Sequence, residues 1–466
     1  MKKNILKSIV LAGLLFVNSV YADENKLDQS NISSANADEG LSQESMLDWI
    51  ESFEEKYDVS MGLAHKGKTF FSGVATVRVG PLDPAYAKEL SITYDKAMLD
   101  LQSNFVMQTY GRMTSERLVD FLEDDSTNAR EFDKTEIENA KKNLKDIKSK
   151  QEFINKALNY VADTVNLNDK LEEYGTSPKT LQGMTINQKK ELYKDNFKKD
   201  MIKKAVASIS GLVPIQTKIL PIKTDMGTAT QVGVIAVMSE KTIQFAEDIS
   251  RGRATNVKGN PKNIKDVLPK NKKEYLNEFG LRFLYDDQGR PMLLSYGRWS
   301  VVSTTKNPAK YLRKIQSAQE KAQMQAESAI GEFMKTNIQV SQGQTLESVS
   351  QDIATKMTEL DSEGNELGTN ESINEIGETI DKSFKKVKSS STFKLRGQSA
   401  IKKWKVKDKN GILHVGTVVT WTYKQLENAN NIVNKKFRTN KELKENNSKV
   451  KELSRKSKII NDVNDF

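Results

Sequence analysis

The chain states one pattern twice. Residues 73–105 read GVATVRVGPLDPAYAKELSITYDKAMLDLQSNF, and residues 297–333 read GRWSVVSTTKNPAKYLRKIQSAQEKAQMQAESAIGEF. Gly73 and Gly297 stand 224 residues apart, as do Pro84 and Pro308; Lys96-Ala97 and Lys321-Ala322 stand 225 apart, which marks one residue inserted near the helix start. A shared offset across a glycine, a proline and an apolar stripe constrains the fold strongly. Whatever local structure the first stretch adopts, the second is expected to adopt too.

Each copy opens with β-prone runs. DVSMGLAHKGKTFFSGVATVRV is read as a hairpin turning at Lys66-Gly67, and GLRFLYDDQGRPMLLSYGRWSVVS as one turning at Asp287-Gln288-Gly289. A long helix follows. Asp83-Pro84 and Asn307-Pro308 supply a side-chain cap and a proline that loses no hydrogen bond at the first helical position. Tyr86, Leu90, Ala97, Leu101 and Phe105 form an apolar stripe in the first helix. Tyr311, Ile315, Ala318, Ala322, Ala329 and Phe333 repeat it in the second. After an insertion each copy closes with a second hairpin and a final helix. Val232-Gly233 matches Val415-Gly416, and the helix-capping Ser239 matches Thr422. The expected class is α+β: two duplicated domains, each an antiparallel sheet of hairpins covered by long helices. Each is expected to hold its own core and to melt as its own unit.

The insertions differ. In copy 1, KTEIENAKKNLKDIKSKQEFINKALNYVADTV is roughly heptad-spaced and is read as a protruding helical hairpin of coiled-coil type. In copy 2, ELDSEGNELGTNESINEIGETIDK is read as an acidic loop around a weak helix. The resulting domain plan is a signal peptide over 1–22 and a disordered acidic leader over 23–44. Repeat 1 covers 45–255 with a helical insertion at about 112–205. A basic linker covers 256–274, repeat 2 covers 275–435, and a charged helix or tail covers 436–466.

The opening MKKNILKSIVLAGLLFVNSVYADE has a basic start, a short apolar run and Val20 and Ala22 before a cleavage point after Ala22. Bacterial export to the periplasm or beyond is expected, with no stable transmembrane span. The chain has no cysteine, so disulfides, thiol chemistry and lipid attachment through an N-terminal Cys are excluded. Its net charge is +10; removing Lys2, Lys3 and Lys7 with the signal leaves +7. Interspersed Lys and Glu on solvated helix faces account for that balance.

Catalytic constellations are sparse. Only His65 and His414 are present, with no Cys to share a metal, and no phosphate-cradling glycine loop appears. No metal, no cofactor and no catalytic residue is expected. Glu123-Asp124-Asp125 and Asp286-Asp287 are read as solvated loops. Trp299, Trp404 and Trp421 are read as core strand residues, with a carbohydrate platform as the alternative. One candidate ligand surface is the basic stretch bearing Arg251, Arg253, Lys258, Lys262 and Lys270, joined by Lys265, Lys272 and Lys273. Phosphates of DNA or lipopolysaccharide are the anions it would take.

The strand and alanine-rich helix, SGVATVRVG followed by AYAKELSITYDKAMLDLQSNF, resemble the swapped-hairpin domains of bacterial outer-membrane lipoproteins and of periplasmic proteins associated with the flagellar motor. That resemblance implies a small α+β fold, an envelope location and a non-catalytic role. The expected function is that of an exported, non-enzymatic scaffold or protein-binding module with envelope proteins as partners. A polyanion binder and a cell-wall hydrolase are the alternatives.

Overall fold

The computed structural model describes residues 45–123 apart from 82 and 84, then 132, 134–141, 147–224, 227–301, 307–341, 346–362, 370–388, 396–408 and 411–433. The expected signal peptide, acidic leader and C-terminal tail lie outside the described residues, as does Pro84.

Repeat 1 begins with α1 (Met46–Tyr57), β1 (Ala64–His65), β2 (Lys68–Val77) and the 38-residue α2 (Tyr86–Glu123). Its insertion holds α3 (Lys134–Lys141), α4 (Ile147–Thr164), α5 (Leu167–Glu173), α6 (Pro178–Gln182) and α7 (Ile186–Ala207). It closes with β3 (Leu212–Thr224), β4 (Gly227–Ser239) and α8 (Glu240–Ser250); the short α9 (Ile264–Val267) follows. Repeat 2 runs β5 (Gly280–Tyr285), β6 (Pro291–Val301), α10 (Pro308–Ser341), α11 (Leu346–Ser362), α12 (Asn370–Lys388), β7 (Gln398–Lys407), β8 (Leu413–Thr422) and α13 (Tyr423–Val433).

The chain has an α+β fold of two similar sheet-containing units. Two antiparallel sheets have orders β1-β2-β4-β3 and β5-β6-β8-β7, the same order in both repeats. Their registers coincide as well. Gly73 lies opposite Val234, and its counterpart Gly297 lies opposite Thr417, the residue that the second offset pairs with Val234. Both outer hairpin strands carry a bulge at the same place: β3 between Pro214 and Gln216, β7 between Ala400 and Lys402. Each final helix is capped by the expected hydroxyl. Ser239 accepts the N–H of Thr242 at 3.3 Å, and Thr422 that of Gln425 at 3.2 Å.

The repeated glycines sit where the long helix crosses its sheet. A Cβ at Gly73 would run into the carbonyl oxygen of Ala97, and one at Gly297 into that of Ala322. The alanines of the helix stripe complete this close approach, because backbones touch only where both sides are small. The short edge strands leave part of β2 and β6 uncovered, and helix side chains satisfy the exposed edge. Asp100 Oδ2 accepts the N–H of Val74 at 2.8 Å; Gln325 Oε1 accepts that of Arg298 at 3.3 Å.

The repeats do not form separate cores. One continuous cluster holds Leu90, Ala97, Leu101 and Phe105 of repeat 1 together with Leu281, Leu293, Ile330 and Trp421 of repeat 2. Phe245 of α8 makes ring contacts with Phe283, Trp421 and Tyr423. The expectation that each repeat holds its own core is therefore corrected. The amphipathic faces find each other across the repeat boundary, since apolar burial has no preference for sequence neighbours.

The insertions are corrected too. Helix α4 does not protrude: Ile154, Ala157, Leu158 and Val161 are buried against α2 and α7. The copy-2 insertion is a helical pair, α11 and α12, that packs on α7 and α2 of repeat 1 and buries Ile353, Met357, Ile376 and Ile380. Residues 363–369, the middle of the expected acidic loop, lie outside the described residues. The insertions of both repeats thus pack together with α2. Among the described residues, no helix is long and apolar enough to cross a membrane.

Candidate functional site

The basic stretch between the repeats is a packed strap. Val257 is buried, the N–H groups of Gly259 and Lys262 donate to the carbonyls of Gly289 and Asp286, and Ile264, Val267 and Leu268 pack on the outer face of the second sheet. Two of its cations are committed to ion pairs: Arg251 with Glu247 at 3.5 Å and Arg253 with Asp248. Burial works against the charge on Asp248, yet hydrogen bonds from Thr255, Arg253 and Gln244 outweigh it and hold its carboxyl below the usual range. Lys258, Lys265, Lys270, Lys272 and Lys273 are exposed, and Lys262 is half-buried. None of the five candidate anion-surface residues lines the cleft described below. Tyr275, the one aromatic near them in sequence, is buried and stacked on Trp404 at 5.6 Å.

Asp286 also departs from its reading as a solvated residue. It is buried, accepts the N–H groups of Gln288 and Arg290, and pairs with the Arg290 guanidinium at 3.1 Å. Asp124 and Asp125 lie outside the described residues. His65 lies in β1. His414 is buried on β8, its Nε2 3.0 Å from Asp408 Oδ2 and its Nδ1 without a hydrogen-bond partner. Burial holds the imidazole pKa down, reinforced by the positive Arg298 and opposed by Asp408. Among the described residues, no group of three or more His, Asp or Glu is placed to hold a metal ion.

A cleft opens instead where the two repeats meet, with a volume of about 380 Å³. Helix α2 contributes Ser91, Tyr94 and Asp95. The start of β5 and the free edge of β6 contribute Phe279, Gly280, Tyr296 and Trp299. One face of α10 contributes Lys321, Met324, Gln325, Ser328 and Glu332. These positions have a structural reason. Beyond Tyr296, β6 has no β5 neighbour, so its edge faces the gap between the two long helices. Helix α10 crosses at Gly297 and brings its Lys321–Gln325 turn alongside.

The wall between the repeats is tightly made. Tyr94 of α2 accepts the N–H of Leu281 at 3.2 Å, and its ring lies edge-on to Phe279 at 5.8 Å. Burial pushes the Tyr94 hydroxyl up to about 12, against the opposing effects of the Leu281 hydrogen bond and nearby Arg282. Gly280 adopts φ +76°, and a Cβ there would strike the Tyr94 ring. Arg282 crosses back to repeat 1, donating to Thr217 Oγ1 at 2.8 Å and to the carbonyls of Phe279 and Leu281. Buried Glu278 lies 3.6 Å from the same guanidinium; its carboxyl is pushed up by desolvation despite that neighbour.

Of the three tryptophans read as core, Trp404 and Trp421 are buried. Trp299 is not: it is half-buried and lines the cleft, with Lys321 Nζ 5.1 Å from its ring centroid. Sequence reasoning missed Tyr94, Asp95, Lys321 and Met324. One signal was available. Repeat 1 has Ala75 where repeat 2 has Trp299, while lysine is kept at Lys96 and Lys321. A large aromatic added to one copy of a repeat marks a place where that copy meets something its twin does not.

Residues 150–251, from α4 to the C-terminus of α8, match a family described as Domain of unknown function (DUF6844). No curated protein matches the chain. Among solved structures, the chain is similar to a crystal structure of a hypothetical protein from Francisella tularensis. The identity is 16% and the TM-score 0.48, over 82% of this chain and 92% of that one.

Proposed function

We propose that this is an exported bacterial envelope protein that works without catalysis, binding a partner in the cleft between its repeats. The observation that carries the reading is the cleft itself: about 380 Å³, with aromatic side chains from both repeats and polar residues from both long helices. That volume and lining belong to the range of ligand-binding clefts, which form preferentially where structural units meet. Met324 supports the reading, being 67% exposed on the cleft lining while Met46, Met107, Met201, Met292, Met334 and Met357 are buried. Flexible, polarizable methionine is favoured on surfaces that adapt to partners. The basic, then apolar N-terminus supports export.

A photo-reactive residue at Met324 in intact envelopes tests the binding site. The expected result is an adduct that is lost with Trp299→Ala and absent when the probe sits at Ile186, which is equally exposed on α7. Adducts of the same pattern from both positions would overturn the cleft as the site. Intact mass of the mature chain tests export: a species starting at Asp23 in a soluble envelope or extracellular fraction is expected, and one retaining residues 1–22 overturns that part.

A further inference from the structure

We infer that the outer face of the second sheet binds a small inorganic anion of the halide class, held between Arg298 and Trp404 beneath the segment that carries Tyr275 and Leu276. The site is separate from the cleft and does not depend on it. The first observation is a buried charge. Arg298 of β6 is 5% exposed, and its Nη1 donates to the carbonyl of Leu276 at 2.6 Å. Its Nε is buried with no hydrogen-bond partner. Among the described residues no carboxylate makes an ion pair with it. Asp408 acts on its charge from a distance, being engaged with His414 Nε2 at 3.0 Å and with the N–H of Ile412 at 2.9 Å. Buried Glu278 lies 3.6 Å from the other guanidinium, that of Arg282. An arginine keeps its proton in proteins, and an unpaired buried charge is costly, so this position calls for a counter-charge.

The second observation is the neighbourhood. Arg298 and Trp404 both stand opposite Gly416, one on each side, and the indole folds over that glycine: a Cβ there would strike Nε1 and the ring. Trp404 Nε1 is also buried with no partner, as are Tyr296 Oη and His414 Nδ1 on the flanking rows of the same face. Guanidinium and indole nitrogens only donate, so what lies between them has to accept. The third is the contrast with repeat 1. There Val74 takes the place of Arg298 opposite Gly233, Trp49 and Met46 of α1 cover that glycine, and Val74 joins an apolar cluster. One copy fills the row with hydrocarbon; the other places a charge and a ring of donors in it. Enclosure sets the size of the ligand. Tyr275 lies on Trp404 at 5.6 Å, and both are buried with Tyr296 and His414, which suits an ion of one or a few atoms and not a polymer or a sugar. The bound anion offsets the Arg298 charge and ties the 275–276 segment to the sheet. No covalent step is involved.

A ligand that binds the folded state alone raises the melting temperature as its concentration rises. The experiment melts the full mature protein while sodium gluconate, whose anion is too large for the site, is replaced by sodium chloride or sodium bromide at constant ionic strength. A saturable rise with halide is expected in the wild type. Arg298→Met, which removes the charge and keeps the stem, should lose that dependence. Trp404→Phe keeps the ring over Gly416 and loses the N–H donor, so its rise should need at least threefold more halide. A wild-type melting temperature that does not respond to halide overturns the proposal, as does the same response in wild type and Arg298→Met. Crystals grown in bromide supply a readout that needs no variant to fold. Anomalous scattering from bromide within hydrogen-bond reach of Arg298 Nε and Trp404 Nε1 is expected. A water molecule there, with no anomalous signal, overturns the anion and leaves the cleft reading untouched.

Discussion

The outer face of the first sheet is closed by a helix; the outer face of the second is closed by a strap and one of the sheet's own tryptophans. In repeat 1, Met46, Trp49, Ile50 and Phe53 of α1 pack on Phe70, Leu220 and Ile235. In repeat 2, Tyr275, Leu276 and the 264–268 segment join Trp404 over Leu284, Met292, Leu294 and Val418. The inner faces, by contrast, keep the same glycine, the same small-residue helix crossing and the same bulge. What two copies keep is set by backbone proximity, where few side chains are tolerated. What they change is set by neighbours. Strand β3 packs against β5, while its counterpart β7 borders solvent and carries exposed Lys403, Lys405 and Lys407 where β3 has Thr217, Ile219 and Pro221. Lysines on a free edge discourage pairing with another sheet.

The sharpest way to break this comparison is to ask whether the repeats are thermodynamically one body. Phe245→Ala removes a repeat-1 side chain whose ring contacts are with repeat 2. A loss of roughly 3–5 kcal/mol is expected, as for other buried aromatics, in a single calorimetric transition. Two transitions, of which the mutation moves one, would restore independent domains.

The glycine crossings come next. Gly73→Ala and Gly297→Ala should each cost ~1–3 kcal/mol or more by forcing helix from sheet, and by similar amounts because the geometry is the same. Urea unfolding of both variants measures it; a large cost at one position and none at the other would show that the crossings are not equivalent.

Smaller effects are expected where the copies use different chemistry for one task. Asp100→Ala and Gln325→Ala each leave a strand N–H without its side-chain acceptor, at a cost of about 1 kcal/mol. Asp100 differs in being ionisable: burial raises its pKa, opposed by the Val74 hydrogen bond. Asp100→Asn, which keeps an acceptor, should recover most of the loss. Chemical denaturation of the three variants checks the order.

The smallest effect concerns a residue that repeat 1 lacks. His414, opposite Ser300 and near Arg298 and Asp408, has a folded pKa that burial holds below the usual imidazole range. The unfolded chain therefore binds more protons than the folded one as pH falls below about 6.5, so this contribution is complete above that pH and is lost on acidification. His414→Gln should flatten the fall in melting temperature between pH 7.5 and pH 5.5 relative to wild type. An unchanged slope would show that the imidazole takes up protons equally in the folded and unfolded states.

The sequence by itself determined the repeat, the strands, the hydroxyl caps and the fold class, because these follow from local rules. A period of two marks a strand, a proline and a polar cap mark a helix start, and a fixed offset carries the register from one copy to the other. The bulges at Ile215 and Ile401, which no local signal announced, stand at matching points of the matched hairpins. Tertiary structure alone decided the rest. An apolar stripe announces that a face is buried but not which face covers it, so α4 reads as a protrusion and α12 as part of a loop until both pack on α2. Charge runs read as ligand surfaces until Arg253 finds Asp248. The cleft needed three such decisions at once: Tyr94, Trp299 and Lys321 come from two repeats and meet only because one core is shared. Hydrophobic burial is non-directional and proportional to area, and the arrangement that buries most is a property of all the surfaces together, not of any one segment.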